Sequence, residues 1–447
     1  MTADTLKNRA PRAHGDDALD TLTDRAYRQL EELIVTLQLA PGQILSEQSL
    51  AQDLKFGRTP IREALQRLAR EGLVVILPRK GILVSDTNPR EQLLVLEARR
   101  EIERLLSRSG ARRRTEDQAA SLEAIAQGTD AAAEDNDDIA FMRMDRELNK
   151  LVAEAAHNQY ASRAMGLLQG LSRRFWYMHY KEAADLLRKQ LAEHPRTSEG
   201  GFWHKQRYPH QMWLDGLYMG APFYAQYLKA SGADAAAFDD VQRQFDLVMQ
   251  HHIDPQTGLP YHAWDESREQ KWADPETGVS PNFWSRSIGW YVMALVDAIE
   301  YFPEDHDGRQ VLSVYLQQVL DATLKFRDEQ SKLWYQVTDQ GDREGNYLEA
   351  TGSVMFVYAM ARGANRGYLP ARYKVLAEES YNGLLENLIR IDRDDHEIHL
   401  ANNCAVAGLG GSPYRDGSYE YYISEPVRDN DPKGIGPFIL ASLELNK

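Results

Sequence analysis

The sequence predicts a mainly α-helical chain in three parts: a winged helix-turn-helix, a run of long helices, and helical hairpins repeated around a ring. Three observations predict it. Residues 22–86 read as three short helices followed by a basic hairpin. Residues 90–180 carry helical spacing throughout. Beyond Pro195, long helices alternate with turn-rich loops that recur roughly every 70 residues.

In the first part, Leu22, Ala26, Leu30, Leu33, Ile34 and Leu37 recur at helical spacing, and Pro41-Gly42 ends the helix near Leu39. Ser46 caps a second helix and Lys55-Phe56-Gly57 makes a turn. A third helix runs from about Thr59 to Glu71, with Pro60 tolerated in its first turn. Leu73–Leu77 and Ile82–Ser85 are strands around the basic turn Pro78-Arg79-Lys80-Gly81. Arg58, Thr59, Arg62 and Gln66 lie on the N-terminal side of the third helix, where side chains reach phosphates and guanine edges in a major groove. Arg79 and Lys80 on the wing suit a minor groove or a phosphate.

The stretches P-G-Q-I-L-S-E-Q-S-L-A-Q-D-L and G-R-T-P-I-R-E-A-L-Q-R-L-A-R-E-G-L, with the wing P-R-K-G, resemble the GntR family of bacterial repressors. The resemblance implies a homodimer on a palindromic operator DNA. It implies Arg58, Thr59 and Arg62 as base or phosphate contacts, Gln48 as a contact from the second helix, and Arg79, Lys80 and Gly81 as the wing.

Helices are expected near Glu91–Ser109, Glu116–Asn136, Asp138–Ala156 and from Gln159 onward. M-D-R-E-L-N-K-L-V-A-E-A-A-H-N resembles the helical effector domain of the FadR branch of that family, whose helix brings an Asp and a His to a metal. Asp145 stands at the first place, but Asn149 at the second is a poorer ligand, so no metal is expected. The family's later helices do not follow. The domain is therefore partial, spanning 87–180 after the winged helix of 21–86 and a disordered polar tail of 1–20.

At Tyr180-Lys181 the character of the chain changes without a Gly, Pro or Ser linker, inside one helix from Leu167 to Ala192. Natural fusions place boundaries in flexible segments. A recombined or misassembled reading frame is one account of this seam.

The third part, 181–447, centres on F-W-H-K-Q-R-Y-P-H-Q-M-W-L-D-G-L-Y-M from Phe202 to Met219. Aromatic plates beside polar donors suit a sugar ring. Asp215 among Trp213, Leu214 and Gly216 has neighbours that raise a carboxyl pKa and suit it to proton transfer. Read alone, the aromatics are equally a core and Asp215 a helix cap. Helices are expected near Trp213–Ser231, Ala235–His252, Asn282–Tyr301, Arg309–Arg327, Ala350–Arg362, Ala371–Ile391 and Gly436–Leu445. The loops D-P-Q-T-G-L-P-Y-H from Asp254, D-E-Q-S-K-L-W-Y-Q from Asp328 and D-D-H-E-I-H-L from Asp394 repeat between them and gather at one mouth. His251, His252, His396 and His399 are read as capping or solvent-contacting.

The motifs G-G-F-W-H-K-Q-R-Y-P-H-Q-M-W-L-D-G-L-Y-M, Y-H-A-W-D, W-S-R-S-I-G-W-Y and N-D-P-K-G-I-G-P-F resemble glycoside hydrolase family 105, and more distantly family 88. The resemblance implies an (α/α)6 barrel without metal or cofactor, acting on an oligosaccharide that ends in an unsaturated uronic acid left by a pectin lyase. Asp215 matches the acid/base. His204, Lys205, Trp213, Met219, His262, Arg286 and Trp290 match residues that hold the sugar. A barrel of twelve helices needs about 350 residues and roughly 265 follow the seam, so the ring is expected to be incomplete and its activity impaired.

Composition bounds the rest. A formal charge of −15 argues against a chain devoted as a whole to nucleic acid. Cys404 is the only cysteine, which excludes an internal disulfide. No apolar run is long enough for a membrane span, and the first residues lack the core of a signal peptide, so a cytoplasmic protein is expected.

Overall fold

The computed structural model describes residues 21–135, 137–392 and 397–447. The chain divides into two compact units, one ending at Leu186 and the other beginning at Leu187.

In the first unit, α1 (Leu22–Val35) is capped by Thr21, and Ala26, Leu30 and Ile34 are fully buried on one face. It stops short of the expected Leu39 because the Thr36 hydroxyl bonds the Glu32 carbonyl and Leu37 turns to a φ of 59°. A two-residue strand that the sequence did not announce, β1 (Ile44–Leu45), leads to α2 (Glu47–Asp53), capped by Ser46, and α3 (Arg58–Arg70). β2 (Val74–Leu77) and β3 (Gly81–Val84) form the wing, and β1 adds to β3, giving the order β1-β3-β2. Gly81 is required there: its φ is 109°, and a Cβ would stand 2.7 Å from the Leu45 carbonyl oxygen. Leu30, Leu45, Ile61, Leu65, Leu68, Val74 and Ile82 close one small core.

Four longer helices follow: α4 (Pro89–Arg113), α5 (Glu116–Glu134, with a capping box at Thr115), α6 (Asp138–Ala155) and α7 (Gln159–Glu193). α7 is unbroken across the seam, as its spacing predicted. Its first half is fixed to the head by polar bonds. The buried Arg174 donates to the Ser85 carbonyl at 2.7 Å, and Arg173 pairs with Glu31 and Asp145.

The second unit is an arc of alternating inner and outer helices. The inner row is α8 (Leu214–Ser231), α10 (Ser285–Ile299), α12 (Ala350–Asn365) and α15 (Pro432–Leu445), each packed on the next. The outer row is α9 (Phe238–His251), α11 (Gly308–Leu324) and α13 (Arg372–Asn387). α10 and α12 sit in mid-arc and are buried along almost their whole length. Glycines set their close approach, since a Cβ on Gly289 would lie 2.8 Å from Met355 and one on Gly352 would lie 2.9 Å from Ser285. The helices at the ends of the arc are more open: Met219 on α8 and Ile439 and Leu443 on α15 are exposed. Among the described residues these helices form an incomplete (α/α)6 barrel.

Each outer helix hands over to a loop that leads to the next inner N-terminus. Asp254 and Asp328 fold their loops alike, accepting from the backbone of Thr257 and Ser331 at 2.8 and 2.7 Å. The third copy begins at Asp394, which lies outside the described residues, as do His396, Asn136 and the tail of 1–20. The helix expected over Ala371–Ile391 ends at Asn387, and Ile389–Ile391 becomes β6, paired with β7 (Ile398–Leu400). The β-branched Ile389 and Ile391 favour the extended form. Two further short antiparallel pairs join distant segments: β4 (Gln211–Trp213) with β5 (Ala263–Asp265), and β8 (Asn403–Cys404) with β9 (Val427–Arg428). A six-residue helix, α14 (Tyr419–Ser424), was not foreseen.

Candidate active site

The site forms where the N-termini of α8, α10 and α12 meet these loops. β4 runs directly into α8, and Trp213 occupies the N-cap with extended backbone and no side-chain cap bond. Asp215 therefore does not cap the helix but stands in its first turn, where the helix dipole favours a carboxylate. Its Oδ2 lies 3.0 Å from His262 Nε2, and Nδ1 of the same ring lies 2.8 Å from the Tyr422 hydroxyl. His262 and Tyr422 are fully buried, whereas the Asp215 side chain keeps 19 % of its surface.

This geometry corrects the expectation of a raised carboxyl pKa. Burial pushes Asp215 up, but the bond from His262 and the nearby His204 and Arg286 outweigh it and hold the carboxyl below its ordinary value.

The other expected residues gather around this acid. The His204 ring lies flat on Trp213, with centroids 4.3 Å apart, and Tyr208 stacks on Trp213 at 5.1 Å. Burial lowers the His204 pKa to about 3, so the ring is neutral at ordinary pH. Lys205 is exposed, its Nζ 5.9 Å from the Tyr208 ring. Met219 is one turn beyond Asp215 on the same face of α8. Arg286, in the first turn of α10, lies 4.5 Å over the Trp284 ring and donates to the Cys404 carbonyl. Trp290, one turn on, stacks against Tyr218 at 4.6 Å. Two buried atoms here, His204 Nδ1 and Arg286 Nε, have no hydrogen-bond partner.

Sequence reading missed Tyr422, Trp284, Tyr208 and the pair Glu349 and Cys404. Glu349 caps α12 and also accepts from the Cys404 backbone at 3.0 Å, fixing the carbonyl that holds Arg286. Tyr422 is 160 residues from His262 on a helix too short to show a period. The only local signal is the aromatic run Tyr419–Tyr422 after the cap Ser418.

His252 is also corrected. It is not in solvent but fully buried, with Nε2 bonded to the Met212 carbonyl at 3.1 Å and its pKa pushed by burial to about 3. It supports β4 from behind. His251 stacks on Trp264 and bonds Glu199 at 2.8 Å, and His399 bonds Asn430 at 2.8 Å.

In the first unit, Gln48, Arg58, Thr59, Arg79 and Lys80 are exposed, with Arg79 at a φ of 63° on the tip of the wing and Gly81 opening β3. Arg62 is exposed but forked onto Glu47 at 3.0 and 3.2 Å. Asp145 accepts from Asn149 and Arg173. Among the described residues no three His, Cys, Asp or Glu side chains form a group able to hold a metal, and no helix is long and apolar enough to cross a membrane.

Comparison with known proteins assigns both parts of the chain, with limits that differ from the two units. Residues 138–447 match the family model described as Glycosyl Hydrolase Family 88, a match that begins at α6 within the first unit. Residues 22–84 match the model described as bacterial regulatory proteins, gntR family. Protein Atu3128 of Agrobacterium fabrum strain C58 is 38 % identical over 232 residues, 51 % of this chain and 97 % of that protein. The unsaturated rhamnogalacturonyl hydrolase YesR of Bacillus subtilis strain 168 is 28 % identical over 41 % of this chain and 51 % of that protein. A solved glycoside hydrolase from family 105 of C. acetobutylicum ATCC 824 is 52 % identical, with a TM-score of 0.59 over 60 % of this chain and 74 % of that one.

Proposed function

The chain belongs to glycosyl hydrolase family 88, and from that premise we propose that it hydrolyses oligosaccharides ending in an unsaturated galacturonyl or glucuronyl unit linked to rhamnose. A gntR-family DNA-binding domain precedes the hydrolase part on the same chain. The domain limits proposed are 21–86 for the winged helix, 87–180 for the partial effector helices and 181–447 for the barrel.

The observation that carries the proposal is the carboxylate of Asp215 bonded to a buried histidine, with His204 stacked on Trp213 and Arg286 held over Trp284 beside it. The chemistry is hydration of a vinyl ether. Asp215 gives its proton to C4 of the C4=C5 bond, and positive charge develops at C5. Water adds there and returns a proton to Asp215. The resulting hemiketal opens and releases the rhamnose. One carboxyl thus serves as acid and then as base. Asp215 is held ionised in the free site, so it must gain a proton as substrate binds. The substrate's own carboxylate, arriving near Asp215, favours that gain through like-charge repulsion. Arg286 and His204 supply donors to the sugar acid, Trp213 and Trp290 offer flat faces to the ring, and Lys205 and Met219 flank it; His262, expected to hold the sugar, is fully buried with both nitrogens engaged and acts through Asp215 instead. The arc is incomplete, so substrate contacts from further barrel helices are absent from this site and turnover is expected to be low.

The test is the ultraviolet absorbance of the C4=C5 bond in an unsaturated galacturonyl-rhamnose disaccharide, followed with the full-length protein. Loss of absorbance that disappears in Asp215→Asn is the expected result. No loss from protein shown to be folded would overturn the enzyme reading.

A second reading has its own observation, the exposed Arg58, Thr59 and wing tip of the gntR-family domain. On this reading the chain is a transcription regulator and its barrel part a sugar sensor or an inert passenger. Asp215→Asn separates the two: it abolishes turnover under the first reading and leaves DNA binding intact under either.

A further inference from the structure

We infer that Tyr422 is a positioning residue for proton transfer, donating its hydroxyl hydrogen to His262 Nδ1 so that His262 presents an N–H at Nε2 to Asp215. The inference rests on the proposed reaction for its consequence, but not for its geometry.

His262 has no contact with water, and each ring nitrogen has one partner: Tyr422 Oη at 2.8 Å and Asp215 Oδ2 at 3.0 Å. We take the buried ring in its neutral form, which carries one proton and one lone pair and so needs partners of opposite kind; a nitrogen spectrum tests that form directly. An ionised carboxylate only accepts, which assigns the proton to Nε2 and the lone pair to Nδ1. Tyr422 must then donate. Burial, with Asp215, Cys404 and Asp416 nearby, pushes its phenol well above the ordinary value, so the hydrogen is always present.

The rest of the surroundings leave no competing donor to Nδ1. His262 packs against Trp213 edge-on at 5.3 Å and against Trp284 at 4.9 Å. Trp213 Nε1 is spent on Gln211 and Trp284 Nε1 on Gln336. The charged and titratable neighbours are Asp215 and His204 toward the mouth, Arg286 over Trp284, and the buried His252 behind. Tyr422 is itself fixed, because its carbonyl accepts from Gln336 Nε2 at 3.0 Å and its ring stacks on Trp284. The Trp284–Gln336–Tyr422 frame therefore sets one imidazole tautomer, and through it the oxygen of Asp215 that faces the substrate.

The consequence has a sign. Without the phenol, Nδ1 loses its donor, so a protonated Asp215 can turn its own hydrogen onto an Nε2 lone pair while the ring proton moves to Nδ1. A carboxylate facing a lone pair binds its proton more tightly, so its pKa rises and it becomes a weaker donor to carbon.

Two measurements test this. In Tyr422→Phe, the kcat plateau at low pH is expected to fall on the order of tenfold with KM changed much less, and the descending alkaline limb set by Asp215 to move up by about one pH unit. An unmoved limb with a plateau within about twofold of the native protein overturns the inference. The second measurement needs neither turnover nor a variant of Tyr422. In the full chain labelled with 15N-histidine, with His262 assigned by its loss in His262→Gln, Nε2 is expected to carry the proton. A proton on Nδ1 overturns the inference. If the native protein shows no turnover, the proposed reaction fails, and the nitrogen spectrum still decides whether Nδ1 accepts from Tyr422; protons on both nitrogens would overturn that too.

Discussion

His204 is the neighbour of Asp215 most exposed to a change of one carbon. A Cβ on Gly216 would lie 3.0 Å from His204 Nδ1, the atom left without a partner. In Gly216→Ala the ring must tilt off Trp213, where it now lies within 5° of parallel. Alanine adds up to about 1 kcal/mol of helix propensity, which offsets the strain, so the melting temperature is expected to change little. Activity on the disaccharide is expected to fall about tenfold, because a displaced donor no longer meets the substrate. Unchanged kcat/KM in this variant would mean that His204 does not hold the sugar. Asp215 and His204 were legible in the sequence because they share one dense motif of Trp, His, Lys and Arg. The electrostatic state of Asp215 was not, because it is set by His262 and Arg286, which are 47 and 71 positions away along the chain.

At the scale of elements, the close pairing of α10 and α12 rests on glycine. In Gly289→Ala the new methyl meets Met355 Cβ and Sδ at 2.8 Å, in helices with no free side to move toward. The variant is expected to lose about 1–3 kcal/mol against denaturant, despite its better helix propensity. The wing is the corresponding element of the first unit. Lys80 is exposed beside the strained tip at Arg79, so Lys80→Ala is expected to weaken binding to any duplex alike and to reduce the slope of log affinity against log salt by about 1. An unchanged slope would remove the wing from the interface. Most long helices were legible because their apolar spacing is sustained over three or more turns. The exceptions are instructive. α14 has six residues, β1 has two, and the end of the predicted helix at Ile391 pairs as a strand with residues that follow it. β1 depends on a partner nearly forty residues away and β6 on one just beyond it, pairings that helical spacing does not reveal.

At the scale of the whole molecule, the far ends of the inner helices are joined by charge, and this sets how stability changes with pH. Asp297 on α10 accepts from Tyr358 on α12 at 2.6 Å and lies 3.4 Å from Arg362, which also pairs with Glu300 and with Glu444 of α15. Three carboxylates share this one guanidinium. Burial, the largest influence, raises the Asp297 pKa to about 6, against the pull of Tyr358 and Arg362. A carboxyl whose folded pKa exceeds its unfolded value binds its proton more tightly when folded. Its contribution is therefore fully present below pH 4 and is lost as pH rises through about 6. The shift amounts to about 3 kcal/mol. Asp215 runs the other way, since its pKa is depressed: its contribution is present at neutral pH and fades only as pH falls below the ordinary carboxylate range. Between about pH 4.5 and 7.5 Asp297 alone of the two changes its charge. Asp297→Asn keeps an oxygen to accept from Tyr358 but cannot ionise. Denaturant unfolding of the full chain at those two pH values is expected to show the variant gaining on the native protein as pH rises. A variant that instead loses ground at pH 7.5 would mean that the ion pair with Arg362 outweighs burial, and that the inner helices are held at this end by charge.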